Sequence, residues 1–241
     1  MAPIQTNSVN QHTDGHKDDS KSKTRERLLK AGLHAFGHQD YDGVSTRQIA
    51  EAAGANISAI SYHFGGKRQL YLATAAYIVE KIHAFQDKYI GKVNSELQEM
   101  QKVEIELERC RLLLQNLLRK HAINLLTGEL GEDVPGFVLR EQSHPTEAFE
   151  ILYSNLFEPL HTLVSKLVAL IRGLPTGHRE SDMVAHALLG QILFFRVART
   201  TMLRRLGQQS YTSQDVQQIS QLVSTLANHA LNYPVSKEET L

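Results

Sequence analysis

From Thr24 onward, apolar residues recur every three or four positions along this 241-residue chain, and no segment alternates with the two-residue period of a β-strand. Leu28, Leu29 and Phe36 are the first residues of this pattern. The predicted fold class is therefore all-α. Pro159 is expected to kink one of the helices. Turn residues and glycines divide the pattern into predicted helices over 24–37, 46–53, 56–64, 67 to about 85, 103–126, 137–142, 146–172, 181–206 and 213–232.

The distribution of apolar residues also predicts the domain organisation. Residues 1–20 contain few large apolar residues and no period, which is typical of a disordered tail. We expect a small helical head over residues 21–85, a larger helical body over residues 86–233 and a C-terminal tail over residues 234–241.

Several protein classes are excluded by composition. A single cysteine, Cys110, excludes an intramolecular disulfide and any metal site built from several cysteines. No apolar run reaches the roughly 20 residues that a membrane span needs, and the first residues lack the apolar stretch of a secretory signal. We therefore expect a cytoplasmic protein without a membrane partner.

The formal net charge of zero hides an uneven distribution of charged residues. Residues 20–85 contain nine Lys or Arg and five acidic residues, whereas residues 86–241 contain sixteen Lys or Arg and eighteen acidic residues. A basic head beside a mildly acidic body is a weak indication of a polyanionic partner, and a solvated basic surface is the alternative.

Two short predicted helices, 46–53 and 56–64, are joined at Gly54, and this is the pattern of a helix-turn-helix. The small side chains of alanines allow the two backbones to approach closely. A plain helical hairpin with a polar outer face is the alternative interpretation. The residues expected to fill the contact between the helices are Ile49, Ala50, Ala53, Ile57 and Ile60.

The outer face of the second short helix suits the major groove of double-stranded DNA. Its side chains are small, polar or flat, and none carries a negative charge that phosphates would repel. The expected DNA-contacting residues of this helix are Asn56, Ser58, Ala59, Tyr62 and His63.

Residues flanking this helix complete the predicted DNA interface. Ser45 and Thr46 lie at the start of the first short helix, where hydroxyl and amide groups donate to phosphate. Arg47 is placed for a bidentate contact to guanine. Lys67 begins the next helix and is expected to contact phosphate.

The segment VSTRQIAEAAGANISAISYHFGGKRQLYLA resembles the DNA-binding signature of TetR/AcrR-type transcriptional regulators. Many members of that family have an aromatic residue at the position of Ser61, whereas here the aromatic residues are Tyr62 and His63. The matching positions are Thr46, Ile49, Ala50, Ala53, Gly54, Ile60, Phe64, Lys67 and Leu70, preceded by Phe36 and Gly37.

Two body segments, FVLREQSHPTEAFEILYSNLFEPLHTLVSKLV and HALLGQILFFRVARTTMLRRLG, resemble the C-terminal domain of the YbiH-like (CecR-type) branch of that family. The resemblance implies a three-helix helix-turn-helix head, a body for ligand binding and dimerisation, and a homodimer on a near-palindromic operator. It also implies repression that a small-molecule effector relieves.

The resemblance places the dimer interface on the helices over about 182–206 and 213–232. Each of these helices has an apolar stripe, and a second apolar face would indicate a partner helix. The stripe residues are Leu188, Leu189, Ile192, Leu193, Ile219, Leu222, Val223 and Leu226, with Ala185 and Phe195 widening the first stripe.

An effector cavity is expected between body helices, apolar with a few polar groups. Two roles are open for Arg140, a contact with an anionic ligand or an ion pair with an acid of the chain. The alternative for the two histidines is an ordinary core or surface position. The candidate ligand-binding residues are Phe137, Arg140, Phe157, His161, His186 and Phe194.

Enzyme motifs are absent from the sequence. There is no GxSxG, GxGxxG or HExxH, and Gly65–Arg68 lacks the upstream glycine and the Ser or Thr of a phosphate loop. Cys110 has no evident activating partner. We therefore assign no catalytic residue and no cofactor. The remaining alternative to a DNA-binding regulator is a helical module that binds a protein partner.

Metal-binding alternatives rest on histidine spacing. A di-iron site would use the two Glu-x-x-His pairs, Glu80 with His83 and Glu158 with His161, together with further glutamates. His34 and His38 are spaced for one helix face, but Gly37 is expected to end that helix and no third ligand is evident. We therefore predict no metal site.

Overall fold

The computed structural model describes residues 14–100, 106–127 and 133–232. These residues form helices and connecting turns and contain no β-strand, as the all-α prediction requires. The elements in chain order are α1 (Asp14–His38), α2 (Thr46–Ala52), α3 (Ser58–Phe64), α4 (Lys67–Met100), α5 (Leu107–Thr127), α6 (Asp133–Ser143), α7 (Glu147–Leu152), a π-helical turn (Tyr153–Phe157), α8 (Glu158–Arg172), α9 (Arg179–Val197), α10 (Arg199–Leu206) and α11 (Ser213–Leu231).

The head core forms where α1, α2, α3 and the start of α4 meet. Ile49 and Ile60 are almost completely buried between α2 and α3, as the sequence predicts. Ile57 was expected to join them, and this prediction is wrong because 51% of its surface is exposed. The reason is that α3 begins at Ser58, so Ile57 lies in the turn before the helix.

The 34-residue helix α4 connects two apolar clusters. Its first half contributes Leu70 and Ile78 to a cluster with α1, α2 and α3. Its second half contributes Val93 and Leu97 to a second cluster, with α5, α8, α9 and α11. The helix therefore continues well beyond residue 85, where the sequence placed the end of the head.

The first cluster also contains Phe137 of α6 and Leu152 of α7, two elements that the sequence assigned to the body. A second buried contact strengthens this junction. The Tyr71 hydroxyl of α4 donates to the carboxylate of Glu141, which is fully buried and also accepts from the backbone and hydroxyl of Thr146. The hydroxyl of Thr146 in turn caps α7.

Several helix boundaries differ from those predicted. Helix α1 begins at Asp14, inside the segment expected to be a tail, and continues through Gly37 to His38. The predicted helix over 181–206 is two helices, because the backbone at Ala198 (φ −93°, ψ 27°) leaves the helical region. The first of them, α9, begins at Arg179, before the predicted start at residue 181, and His178 caps it, since the His178 ring accepts a hydrogen bond from the backbone of Glu180.

Two further differences concern the body. Helix α6 is longer than the predicted segment over 137–142. Pro159 lies in the first turn of α8, directly after the π-helical turn. It has no N–H to donate to the preceding turn, and the irregularity expected there is this π-helical turn. No helix in the described ranges has both the length and the apolar character that crossing a membrane requires.

A close backbone contact between head and body lies where α1 crosses α6. A Cβ atom built on Gly136 of α6 would lie only 2.0 Å from the carbonyl oxygen of Gly37. A Cβ atom built on Gly37 would lie 2.5 Å from the carbonyl oxygen of Asp133. Backbone atoms cannot move aside as a flexible side chain can, so both positions require glycine for this crossing.

This crossing gives a stability prediction. Gly136→Ala should lower the free energy of unfolding by about 2 kcal/mol or more, because α1 and α6 must move apart. The matched control is Gly91→Ala in α4, where a Cβ would meet nothing within 4 Å. That change should raise stability by roughly 0.5–1 kcal/mol. Urea unfolding followed by circular dichroism measures both, and equal effects of the two changes would contradict the role given to the crossing.

Candidate nucleic-acid interface and body site

The start of α2 is fixed by a reciprocal capping box. The Ser45 hydroxyl accepts a hydrogen bond from the backbone of Gln48 at 3.2 Å, and the Gln48 side chain accepts one from the backbone of Ser45 at 3.0 Å. Such a box satisfies two backbone donors that the helix leaves free. Ser45 is therefore a cap first, and the cap holds Thr46 and Arg47 at the exposed start of α2.

Arg47 extends into solvent and pairs with Glu51 one turn later, with 2.9 Å between Nε and Oε1. Both side chains are largely exposed. Exposed pairs of this spacing contribute only about 0.3–0.5 kcal/mol, so the guanidinium is readily released to another acceptor.

The turn between α2 and α3 contains Gly54 with a positive φ of 59°, a conformation that favours glycine. The Asn56 side chain then accepts hydrogen bonds from the backbone and the hydroxyl of Ser58, at 3.0 and 2.9 Å. The structure thus brings Asn56 and Ser58 to the exposed start of α3. The Ser58 hydroxyl and the Asn56 side-chain oxygen are hydrogen-bonded to each other there, and this bond would have to be exchanged for the hydroxyl to bind phosphate.

The outer face of α3 presents aromatic and small side chains. Tyr62 is 68% exposed, and its ring meets that of His63 edge-on at 5.0 Å between centroids. Ala59 is partly covered by the head core. Ile60, on the opposite side of the helix, anchors α3 in that core. The predicted residues of α3 therefore share one exposed surface.

The Lys67 ammonium, predicted from the sequence as a phosphate contact, lies 4.3 Å from the ring centroid of Tyr41. The structure adds two basic residues that the sequence analysis did not name. The Lys21 ammonium lies 5.9 Å from the ring centroid of Tyr62, and the Arg25 guanidinium 5.3 Å from that of Phe64. The sequence signal for Lys21 and Arg25 was the run of positive charges over residues 21–30. Only the structure, in which α1 begins before this run, shows that the run borders the exposed face of α3.

The six candidate ligand residues of the body fall into three places. Phe137 is fully buried in the first cluster, with its ring 4.8 Å from that of Tyr71. Arg140 donates to the Asp40 carboxylate at 2.9 Å and to the carbonyl of Phe36. Of the two roles considered for Arg140, the structure therefore shows the ion pair within the chain. Phe137 and Arg140 both belong to the junction of head and body.

Two other candidates, His161 and His186, lie together in the body, whereas the Phe157 side chain packs against the first cluster. His161 Nδ1 is 2.8 Å from the Phe157 carbonyl oxygen, and His161 Nε2 is 3.4 Å from His186 Nδ1. His121 of α5 lies close enough to His161 for electrostatic interaction, and burial together with His161 lowers the pKa of His121 to about 4. His121 Nδ1 is 3.3 Å from the Tyr89 hydroxyl. Neither His121 nor Tyr89 was expected from the sequence, which gave no periodic signal for them.

Phe194 lies outside this group, because 68% of its surface is exposed on the outer face of α9. The predicted stripes of α9 and α11 divide in the structure between an inner and an outer set. The inner set is buried in the second cluster and consists of Leu188, Leu189, Ile192, Ile219 and Val223. The outer apolar set is exposed and consists of Leu193, Phe194, Val197, Leu222 and Leu226.

Histidine geometry also bears on the metal alternatives. His83 Nε2 lies 2.7 Å from the carbonyl oxygen of Asn155 rather than beside a carboxylate cluster. Within residues 14–100, 106–127 and 133–232, the one group of three potential metal ligands is His34, His38 and Asp133. The expectation that Gly37 ends the helix and that no third ligand exists is therefore wrong.

Comparisons with known proteins match both parts of the chain. Residues 28–74 match the family described as bacterial regulatory proteins, tetR family, and residues 110–232 match the C-terminal domain of the HTH-type transcriptional dual regulator CecR. The chain is 30% identical over 206 residues to that regulator from Shigella flexneri. This match covers 84% of this chain and 88% of the relative. It is 35% identical over 57 residues to the transcriptional repressor AcnR of Corynebacterium glutamicum, which covers 24% of this chain and 30% of the relative.

Solved structures share the fold at low sequence identity. AibR in complex with isovaleryl coenzyme A and operator DNA superposes with a TM-score of 0.57 at 15% identity, covering 84% of this chain and 97% of that one. NalD, the secondary repressor of the MexAB-OprM efflux pump of Pseudomonas aeruginosa, superposes with a TM-score of 0.56 at 19% identity, covering 88% and 96%.

The lowered pKa of His121 gives a prediction on stability. An unfolded histidine binds a proton near pH 6.5, whereas His121 in the fold does so only near pH 4. As the pH falls, the unfolded state therefore binds a proton at this residue before the folded state does. The free energy of unfolding decreases by about 2 kcal/mol between pH 7 and pH 5 because of this residue.

His121→Asn, which retains an acceptor for Tyr89, should remove most of this pH dependence. Urea unfolding of both proteins at pH 7 and pH 5 measures the difference. An identical loss of stability in the variant and the original chain would contradict the burial of a neutral His121.

Proposed function

This chain belongs to the TetR family of bacterial regulatory proteins, with a body of the CecR type, and we propose that it binds its operator through the exposed face of α2 and α3. It is a transcriptional regulator. The observation that carries the proposed contact surface is that α3 is anchored by Ile60 while its outer face presents Tyr62, His63 and no acidic residue. Arg47 and Lys67 flank that face with positive charge.

Each residue type suggests its own role in the complex. Arg47, Tyr62 and His63 contact base edges or groove walls, where an aromatic ring and a guanidinium fork discriminate between bases. Thr46, Ser58 and Lys67 contact phosphate, and such contacts fix the register of the head on the duplex. Lys21 and Arg25 extend the positive surface along α1 and add sequence-independent affinity.

We propose that the acting species is a homodimer joined through the outer apolar set of α9 and α11. Six large apolar side chains, the outer apolar set and Met183, are exposed on these two adjacent helices, in addition to the inner faces that serve the chain's own core. A second apolar face of this kind is expected where another helix pair packs. Two heads then contact successive major grooves about 34–36 Å apart, which explains a near-palindromic operator.

A small-molecule effector is proposed to bind in the body beside His161, His186 and His121. These histidines offer hydrogen-bonding groups among apolar helices, and α4 supplies Tyr89 to the same place. Because α4 also contributes Leu70 to the head core, a change around Tyr89 is transmitted along one helix to the head. An effector that prefers the conformer with misplaced heads then releases the DNA. AibR, a protein of the same fold, has been solved in complex with isovaleryl coenzyme A and operator DNA.

The proposed action is repression in the cytoplasm, relieved by the effector. AcnR of Corynebacterium glutamicum is named a repressor, while CecR of Shigella flexneri is named a dual regulator. No catalytic role is proposed, since these relatives are regulators of transcription.

Variants of two basic residues distinguish base reading from phosphate contact. On a fragment upstream of the chain's own gene, Arg47→Ala should weaken binding by about 1–3 kcal/mol per contact and reduce selectivity over a scrambled fragment. Lys67→Ala should weaken binding to both fragments equally and flatten the salt dependence by about 1 per protomer. Fluorescence anisotropy across a salt series measures both.

Lys88→Ala is the matched control for these variants. Lys88 is exposed on the same helix as Lys67, 21 residues further along and therefore about 31 Å away. It should leave the salt slope unchanged. A salt slope that Lys67→Ala does not alter, or selectivity that survives Arg47→Ala, would contradict the assigned roles. Sequence-blind, salt-insensitive binding by the original chain would favour a protein-binding module instead.

A charge placed in the outer apolar set tests the dimer. Leu226→Glu should convert the protein to a monomer in analytical ultracentrifugation, because two carboxylates would face each other in an apolar interface. The control is Leu139→Glu, which alters an exposed leucine on α6. It should leave the dimer intact. A Leu226→Glu protein that remains dimeric at micromolar concentration would place the interface elsewhere.

A further inference from the structure

The crossing of α1 and α6 brings two imidazoles and one carboxylate together. His34 and His38 lie one turn apart on α1, with 4.6 Å between their ring centroids. Asp133 enters between them from the first turn of α6, with Oδ1 at 3.1 Å from His34 Nδ1 and 3.3 Å from His38 Nδ1. One potential ligand atom from each of the three side chains lies within 4.8 Å of the others.

The spacing is close to that of a metal site. Tetrahedral coordination with bonds of about 2.0–2.1 Å separates ligand atoms by about 3.3 Å, so small side-chain rotations suffice to bring the three groups around one ion. The side chains of His34 and His38 are more than half exposed, which leaves an ion and its remaining water ligands free access.

The backbone holds these ligands in place without a metal. Gly37 and Gly136 fix the distance between α1 and α6 at the crossing, and Asp133 lies one turn from Gly136. Arg140, one turn further along α6, donates to the carbonyl of Phe36 on α1. Ligands held by rigid helices bind an ion with little loss of conformational freedom.

One imidazole has a competing backbone contact. His38 Nδ1 lies 3.0 Å from the His34 carbonyl oxygen as well as 3.3 Å from Asp133 Oδ1. To bind an ion through Nδ1, the His38 ring has to give up the hydrogen bond to this carbonyl, because a nitrogen that donates a proton has no lone pair for a metal.

We propose that His34, His38 and Asp133 form a binding site for a divalent transition-metal ion of the Zn²⁺ type, with water completing the coordination. Two imidazole nitrogens and one carboxylate oxygen suit Zn²⁺, Co²⁺ or Ni²⁺, whereas Mg²⁺ and Ca²⁺ prefer oxygen ligands alone. The ion joins α1 of the head to α6 of the body. It therefore stabilises the arrangement of head and body seen here, independently of any effector bound deeper in the body.

The test uses the full chain without a histidine tag. Zn²⁺ affinity is measured by competition with a chromophoric chelator, and Co²⁺ provides a visible absorption spectrum that reports the coordination geometry. We expect one ion per chain at this site, with a dissociation constant of about 10 µM or tighter. His34→Asn and Asp133→Asn should each weaken Zn²⁺ binding at least about 100-fold. Losing a residue that only hydrogen-bonds to a metal ligand weakens binding less than this.

A matched control separates this site from surface histidines. His83 lies 3.9 Å from the Asp87 carboxylate on one helix turn, a His–Asp pair without a third ligand. His83→Asn should leave both the affinity and the Co²⁺ spectrum unchanged. Circular dichroism and the thermal midpoint without metal confirm that each variant is folded, and Zn²⁺ should raise the midpoint of the original chain but not that of His34→Asn.

Two results would overturn the proposal. One is the absence of Zn²⁺ binding by the original chain up to about 100 µM, well above the expected dissociation constant. The other is binding that His34→Asn and Asp133→Asn leave unchanged, because the ion would then be held elsewhere on the chain.

Discussion

The burial of one continuous helix in two separate apolar clusters is the constraint on which the architecture depends. Leu70 and Ile78 of α4 are fully buried with the head, and Leu97 of the same helix is almost fully buried with the body. A helix is stiff along its axis because every turn is hydrogen-bonded to the next. Neither cluster can therefore rotate about α4 without the other losing packed contacts, and this coupling gives a body domain control over a DNA-binding head.

The crossing of α1 and α6 completes this coupling from a second direction. Two glycines allow backbone contact, and Arg140 spans the crossing with a charged hydrogen bond to the Phe36 carbonyl. The buried pair of Tyr71 and Glu141 connects α4 to the same element. The head is thus held on two sides, through α4 and through α6.

The sequence predicted the features that depend on local pattern. The start of α2 at Thr46, the turn at Gly54 and the buried face of Ile49 and Ile60 follow from residue type and spacing, and the structure contains each of them. Arg140 illustrates the limit, because its partners Asp40 and Phe36 are about 100 residues away. Asp133 was missed as the companion of His34 for the same reason, since spacing within one helix carries no signal of a distant crossing.

The division of α9 and α11 into inner and outer apolar sets was likewise beyond the sequence, which shows apolar stripes but not which of them the chain's own core covers.

We propose that the face formed by α2 and α3 reads a specific DNA sequence. The most direct measurement is binding of the purified chain to a labelled fragment from upstream of its own gene and to a scrambled fragment, across a salt series. We expect selective, salt-sensitive binding with two protomers per site, and the absence of binding to either fragment even at low salt would contradict this role.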